Sequence, residues 1–549
     1  MIHCKKQHLR GENKMKRQET SLGIMLDCSR NAVMKPEKVR EFAKLIAGMG
    51  YNMLQLYTED TYEIKDEPFF GYMRGRYSQE ELKDIDTYCQ SIGVELVPCI
   101  QVLAHLNQIT QWEPYSGIFD CNDILMVGEE KVYQLIDKMF ETLESCFTSR
   151  RVNVGMDEAF MLGRGKYQDK HGYRDRVEIL TEHLAKVKEI ADKHGFSIMM
   201  WSDMFIRINN NGEYYGENLK IPQETIESVP EGVELIYWDY YSKDKTRYDH
   251  MLTTHSDFKN PIAFAGGIWT WTGYAPNLRY SLDATEAAMR SIQDHPVQDV
   301  FFTLWGDDGK DCSFFATMPI LFSVAKMANG EFDREKIKEE FEATYGYSFD
   351  EFMDLELANI TEEEESHVHS PAKYLLFNDP FLGIFDFTVH KDLPQRYADA
   401  ANQLAKSING RPYDYLFDMQ QKLLCVLADK CDLGIRLREA YQMNDRESLK
   451  KMAELDFPKI QKDIELFADA FHTLWLKENK AFGLEVQEVR LGGLQYRMEM
   501  CKKRLCAYLN NEIDQIDELE EKCLAKYSGF EGKGICYNNH RTTVTTCVL

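Results

Sequence analysis

From Leu22 to about Trp305, short runs of apolar and β-prone residues alternate with stretches whose apolar positions recur every three to four residues. The strand-like runs are LGIMLD from Leu22, NMLQLY from Asn52, VELVPCI from Val94, VNVGMD from Val152, SIMMWSD from Ser197, ELIYWD from Glu234, PIAFAGGIW from Pro261 and DVFFTLW from Asp299. Several are almost continuously apolar, as a parallel strand covered on both faces requires. The segments between them, such as PEKVREFAKLIAGMG, SQEELKDIDTYCQSIG and RVEILTEHLAKVKEIADKHG, are amphipathic and close on glycine, the residue that best tolerates a left-handed helix end. Eight strand-helix units predict an α/β fold, a (β/α)8 TIM barrel over residues 21–329, with a doubly wound open sheet as the alternative.

After Phe315 the β pattern fades and helical periodicity takes over, most clearly from Pro412 to Tyr441. The stretches FPKIQKDIELFADAFHTLWLKENKAFG and RMEMCKKRLCAYLNNEIDQIDELEEKCLAKY continue it, the second reading as one long charged helix. Residues 330–549 are therefore expected to form an all-α C-terminal domain. Its apolar faces, from Pro412 to Tyr441 and around Trp475, exceed what a solvated appendage needs. They must pack on the barrel or on a second subunit, which raises the expectation of a homodimer.

The chain of 549 residues, 44% hydrophobic, can bury a large core. A formal charge of -25 argues against a nucleic-acid partner, which needs clustered Lys and Arg. The opening residues 1–20 are basic without an apolar segment and read as a disordered arm, and no run is long enough to span a bilayer. Fourteen cysteines without a metal-type CxxC pair suggest reduced thiols, with Cys99, Cys121 and Cys425 in apolar surroundings. A cytoplasmic protein with no membrane partner is the expectation.

Asp157 and Glu158 close the fourth strand-like run, where a barrel places its chemistry. Neighbours along a strand point to opposite sides, so the two would not flank one bond as nucleophile and acid. They suit divided roles, in which one protonates a leaving group and the other manages a group beside the reacting centre. Five of the seven tryptophans, Trp201, Trp238, Trp269, Trp271 and Trp305, fall near the ends of runs five to eight, as a sugar pocket would need. Asp307 follows Trp305 closely, and His105 and Tyr240 lie just past the third and sixth runs.

These residues carry a resemblance. VGMDEA resembles the Asp-Glu motif of family 20 glycoside hydrolases, the β-N-acetylhexosaminidases, and LGIMLDCSRNAV, PCIQVLAHL, MMWSD, IYWDYY and LWGDD resemble their strands one, three, five, six and eight. The subgroup it most resembles carries a helical C-terminal domain. The resemblance implies exo-acting, substrate-assisted, retaining hydrolysis of terminal β-linked GlcNAc or GalNAc from small saccharides, with no cofactor and no metal. Glu158 would be the general acid and Asp157 the carboxylate that orients the 2-acetamido group. Trp201, Trp238 and Trp305 would box its methyl, Tyr240 or Tyr241 would reach its oxygen, Trp269 would add to the pocket, and Asp307 would bind sugar hydroxyls, with His105 in support. Where the family's first strand usually begins with a sugar-binding arginine, this chain has Leu22, and Arg30 or an arginine elsewhere is the candidate replacement. A non-catalytic amino-sugar-binding barrel and a metal-dependent barrel hydrolase are the alternatives. The His residues form no HxH set on an early strand, which weakens the latter.

Overall fold

The computed structural model describes residues 21–361, 368–524 and 535–548. The basic arm expected over residues 1–20 lies outside them. Eight parallel strands form a closed barrel in chain order: β1 (Ser21–Asp27), β2 (Met53–Tyr57), β3 (Glu95–Cys99), β4 (Arg151–Asn153), β5 (Ser197–Trp201), β6 (Glu234–Trp238), β7 (Ile262–Gly267) and β8 (Asp299–Leu304). Closure comes from β1 pairing with β8, Ser21 opposite Asp299 through Leu26 opposite Leu304. Strands β2, β6, β7 and β8 are buried at every position, the burial that their continuous apolar runs require. The open-sheet alternative is thereby excluded.

The helices between the strands form where their signals lie. Helix Gln79–Ser91 starts in a capping box, with Ser78 Oγ accepting from the Glu81 N–H and the Glu81 carboxylate accepting from the Ser78 N–H. Helix Pro36–Met49 has proline in its first turn and ends on Gly50 at φ 105°, a conformation costly for any other residue.

β4 is shorter than its apolar run. It stops at Asn153, and Gly155, Met156 and Glu158 all take positive φ, at 72°, 69° and 53°. Asp157 and Glu158 therefore lie on a coiled loop beyond the strand, and they do not alternate between two sides as strand neighbours would.

Beyond the last barrel helix, Met318–Ala328, the chain is helical, including Leu393–Lys406, Asp414–Lys430, Phe457–Glu478 and Leu484–Leu509. The expected long charged helix is broken: it ends at Leu509, a short connection leads to a turn of helix at Asp517–Glu520, and its last residues, 525–527, lie outside the described ones. Helix Asp414–Lys430 packs on Leu393–Lys406 and Phe457–Glu478, and Gln420 donates to the Tyr274 carbonyl of the barrel. Trp475 is fully buried. The apolar faces that suggested a second subunit are thus covered within one chain and supply no argument for a dimer. Among the described residues every cysteine is a free thiol; Cys99 is buried, while Cys121 and Cys425 are half-buried. No described helix is long and apolar enough to cross a membrane.

Candidate active site

The strands end around a cavity of about 520 Å³, its open mouth included, lined by Arg30, His105, Asp157, Glu158, Trp201, Trp238, Tyr240, Tyr241, Trp271, Trp305 and Asp307. Eight of the nine expected site residues are on its wall. The ninth, Trp269, stands one layer behind, stacked on Trp271 with ring centroids 4.2 Å apart and donating from Nε1 to the Tyr240 carbonyl. The ring on the cavity wall beyond β7 is Trp271, not Trp269, because the chain there turns the second tryptophan inward.

The loop that carries the carboxylate pair is held by side chains from several strand ends. Asn153 Oδ1 accepts from the Gly155 N–H, Gln101 Oε1 from the Met156 N–H at 3.1 Å, and Asp203 Oδ2 from the Glu158 N–H at 3.2 Å. At Gly155 a Cβ would stand 2.1 Å from Gln101 Oε1, so the backbone passes too close for any side chain. Met156 and Glu158 hold left-handed conformations that cost roughly 1–3 kcal/mol each and persist only where surroundings dictate them.

The coiled loop presents both carboxylates to one imidazole. His105 Nε2 is 3.2 Å from Asp157 Oδ2 and 3.7 Å from Glu158 Oε2. His105 itself has φ 59°, and its N–H donates to Asp123 Oδ2. Gln101 Nε2 donates to Asp157 Oδ1 at 2.7 Å and also to the Tyr57 hydroxyl, which donates to Glu59.

These contacts push the two carboxyls apart. Burial alone would raise Asp157, but the His105 charge and the hydrogen bond from Gln101 outweigh it and hold the group below the usual aspartate range. Burial and the neighbouring Asp157 charge raise Glu158. Burial disfavours the His105 cation, yet Asp157 more than compensates and lifts the imidazole to about 9. The site therefore holds an anionic Asp157, a cationic His105 and a Glu158 whose carboxyl lies above the usual glutamate range. Paired groups with opposed shifts mark a division into anion and acid.

Behind the pair, Asp203 is fully buried, and burial with the Asp157 charge raises it to about 7 against the pull of Arg207, whose Nε lies 3.2 Å away.

Around the carboxylates stand flat aromatic faces. Trp305 packs edge-on to Tyr57 at 4.8 Å and lies 6.2 Å from Trp201, while Trp238 stacks on Tyr240 at 5.3 Å. The buried Trp201 indole N–H has no hydrogen-bond partner among the described residues.

Arg30 lines the cavity from just beyond the end of β1. Its guanidinium lies 3.3 Å from both Asp27 and Glu59 and over the rings of Tyr57 and Trp305 at 5.1 and 5.3 Å. Leu22 lies at the opposite end of that strand, so Arg30 is the first-strand cation of this pocket. Asp307 is exposed at the mouth, yet desolvation of its carboxyl by surrounding protein, opposed by Arg30, raises it to about 7.

Gln101, Asp203, Glu59 and Asp27 were not among the expected site residues. Each stands at the end of a strand or within two residues beyond it. That position is the signal that could have found them, had the polar residues following every strand been considered together. Among the described residues, no group of three or more His, Cys, Asp or Glu side chains has an arrangement that would hold a metal ion.

The catalytic domain of glycosyl hydrolase family 20 matches residues 22–247, and the glycoside hydrolase 20C C-terminal domain matches residues 350–536. Among curated relatives, human hexosaminidase D is 22% identical over 222 residues, 38% of this chain and 43% of the relative. A β-hexosaminidase of Akkermansia muciniphila is 23% identical over 229 residues, 35% of this chain and 46% of the relative. The chain thus spans under half the length of these two relatives. Among solved structures, a β-N-acetylhexosaminidase from Bacteroides fragilis is 18% identical, with a TM-score of 0.47 over 60% of this chain and 71% of that one. One matched domain falls in the barrel and the other in the helical region, and on both the chain belongs to glycoside hydrolase family 20.

Proposed function

We propose that the protein is an exo-acting β-N-acetylhexosaminidase that removes terminal β-linked GlcNAc or GalNAc from small saccharides by substrate-assisted retaining hydrolysis. The observation that carries this reading is the pairing itself: Asp157 and Glu158, their carboxyls shifted in opposite directions, both against His105 inside an aromatic pocket.

In this reading Glu158 protonates the glycosidic oxygen as the bond to the aglycone breaks. The substrate's own acetamide oxygen attacks the anomeric carbon from the opposite face, and Asp157 accepts the acetamide N–H and offsets the positive charge that develops on the ring. An oxazolinium intermediate results. Glu158, now a carboxylate, takes a proton from the incoming water, which restores the β configuration. The ionised Asp157 is held ready before substrate arrives, so no reorganisation is needed at the moment of reaction. Trp201, Trp238 and Trp305 offer apolar faces to the acetamido methyl, the Tyr240 hydroxyl its oxygen, and Arg30 and Asp307 bind outer hydroxyls. The relatives named hexosaminidase support the substrate class.

Hydrolysis of an aryl N-acetyl-β-glucosaminide tests the reading, followed by proton NMR of the first product. Rapid release with an initially β hemiacetal is expected, and a matched aryl β-glucoside lacking the acetamido group should be cleaved at a small fraction of that rate. An initial α product, or equal rates on the two glycosides, would overturn the oxazolinium route. The free thiols of the described cysteines support a reducing, cytoplasmic setting, which fractionation of the source cells would check.

A further inference from the structure

The loop after β8, Gly306 to Asp311, carries Asp307 to the cavity mouth in a costly conformation, with φ 24° at Asp307, 115° at Gly309 and 59° at Lys310. Its start is tied to the barrel, where the Gly306 N–H donates to Asp27 Oδ2 at 2.9 Å. Its remainder is anchored largely from the helical domain. Lys373 Nζ reaches Asp311 Oδ2 at 2.6 Å, Asp308 Oδ2 at 2.9 Å and the Asp308 carbonyl at 3.0 Å. Arg490 donates to the Asp308 carbonyl at 2.8 Å and to its Oδ1 at 3.1 Å. Gln487 Nε2 donates to the Gly309 carbonyl at 2.9 Å and to Asp311 Oδ1 at 2.6 Å, and its Oε1 accepts from Tyr274. The His540 N–H closes the set on Asp308 Oδ2 at 2.7 Å.

Gln487 and Lys373 are almost fully buried. Buried cations and amides are costly, and apolar side chains of similar size would join two domains at least as well. What apolar packing cannot do is fix the path of a backbone through its carbonyls and side chains. Gly309 shows how closely that path is set, since a Cβ there would meet Arg490 at 2.5 Å and Gln487 at 2.8 Å. Asp307 is thus the cavity-facing residue of a loop fixed on both sides of it.

Resting on the reading of the cavity as an amino-sugar pocket, we propose that the helical domain is part of substrate recognition. Lys373, Gln487 and Arg490 are positioning residues that hold Asp307 against the outer hydroxyls of the terminal sugar and so set the preference between gluco and galacto epimers. None of the three touches the sugar; each acts through the loop. A displacement of about 1 Å in such a group is enough to cost up to ~10²-fold in rate.

The test uses the full chain, with kcat and KM measured on aryl N-acetyl-β-glucosaminide and its galacto epimer for wild type, Asp307→Asn, Gln487→Ala, Arg490→Gln, Arg490→Lys and the double variant Asp307→Asn/Gln487→Ala. Thermal unfolding of each variant separates lost folding from lost positioning. Gln487→Ala and Arg490→Gln should each lower kcat/KM on the order of tenfold, mainly through KM, and move the gluco-to-galacto ratio toward that of Asp307→Asn. Arg490→Lys should recover part of the loss. In the Asp307→Asn background, Gln487→Ala should add less than about twofold, because the group it positions is gone. An unchanged epimer ratio in folded Gln487→Ala and Arg490→Gln, or effects that multiply in the double variant, would overturn the proposal while leaving the activity intact. A wild-type protein inactive on both substrates would instead remove the underlying reading, and the proposal with it.

Discussion

Where the strands begin, Arg151, Glu234, Asp299 and Glu95 crowd together; where they end, Asp157, Glu158, Asp203 and Asp307 do. Both ends contain carboxyls displaced far from their ordinary range. At the lower end, burial and the Asp299 charge raise Glu234 to about 8, at least as far as the raised carboxyls Asp203 and Asp307 of the upper site, which reach about 7. The surroundings differ. Arg151 fills the lower end, with Nη1 2.6 Å from Asp299 Oδ2, Nε 3.6 Å from Glu95 and Nη2 3.0 Å from Met53 Sδ. The upper end opens on a cavity walled by aromatic rings, where the carboxyls share a histidine and face open space. A displaced carboxyl is therefore a sign of burial first. It marks chemistry only where groups with opposite displacements face a space that a substrate can enter. In a barrel, charge clusters where strands begin serve closure, and those where strands end serve reaction.

The contrast between the two ends is tested most severely at Glu158. Glu158→Gln should lose ~10²–10⁴-fold in turnover of a natural disaccharide, and less on aryl substrates whose leaving groups need no proton. Turnover within a few-fold of wild type would return Glu158 to the status of its lower-end counterparts. Asp157→Asn should cost about 10²-fold or more while near-UV circular dichroism stays native, since it removes a preorganised charge from beside the reacting centre. A smaller loss would mean that the anion is structural.

His105→Gln probes the upper end through pH. The His105 cation lowers both Asp157 and Glu158. Removing it raises both, so the acid limb, where Asp157 protonates, and the alkaline limb, where Glu158 ionises, should each move to higher pH in the kcat/KM profile. Limbs that stay in place would show that the imidazole is not charged beside the pair.

The smallest effect is expected at the lower end. Glu234→Gln should leave kcat/KM within about twofold of wild type, because the side chain is remote from the cavity. Its carboxyl is raised in the folded state from an ordinary value of 4.5 to about 8. Between those values the folded protein keeps a proton that the unfolded chain has released, so this group makes stability fall as pH rises through that window. The variant should flatten that fall, read from urea unfolding at pH 5 and pH 8. An unaltered slope would mean that Glu234 does not drive it.

Much of this was legible in one dimension. The eight strands followed from apolar runs bounded by helix caps and glycines, both strictly local signals, and closure followed from their number. Asp157, Glu158 and the mouth tryptophans were legible because a barrel presents its strand ends on one face, so position along the chain reports position in the site. The length of β4 was not legible. VNVGMD reads as six residues of strand, but Gly155 is pressed against Gln101 and the loop is held by Asn153 and Asp203. Gln101 and Asp203 come from other strand ends of the barrel, and contacts of that range outweigh local propensity.

Periodicity, capping and strand-end position are properties of neighbouring residues, so the linear chain was enough to specify the barrel, its helical companion and the place of the carboxylate pair beyond the fourth strand. Three-dimensional packing alone decided that both carboxylates meet one imidazole, that Trp271 and not Trp269 faces the cavity, and that Arg30 supplies the first-strand cation. It alone decided that Lys373, Gln487 and Arg490 of the helical domain grip the loop of Asp307. These facts depend on groups far apart in the chain, 182 residues in the case of Arg490 and Asp308, brought together by packing that no local pattern encodes.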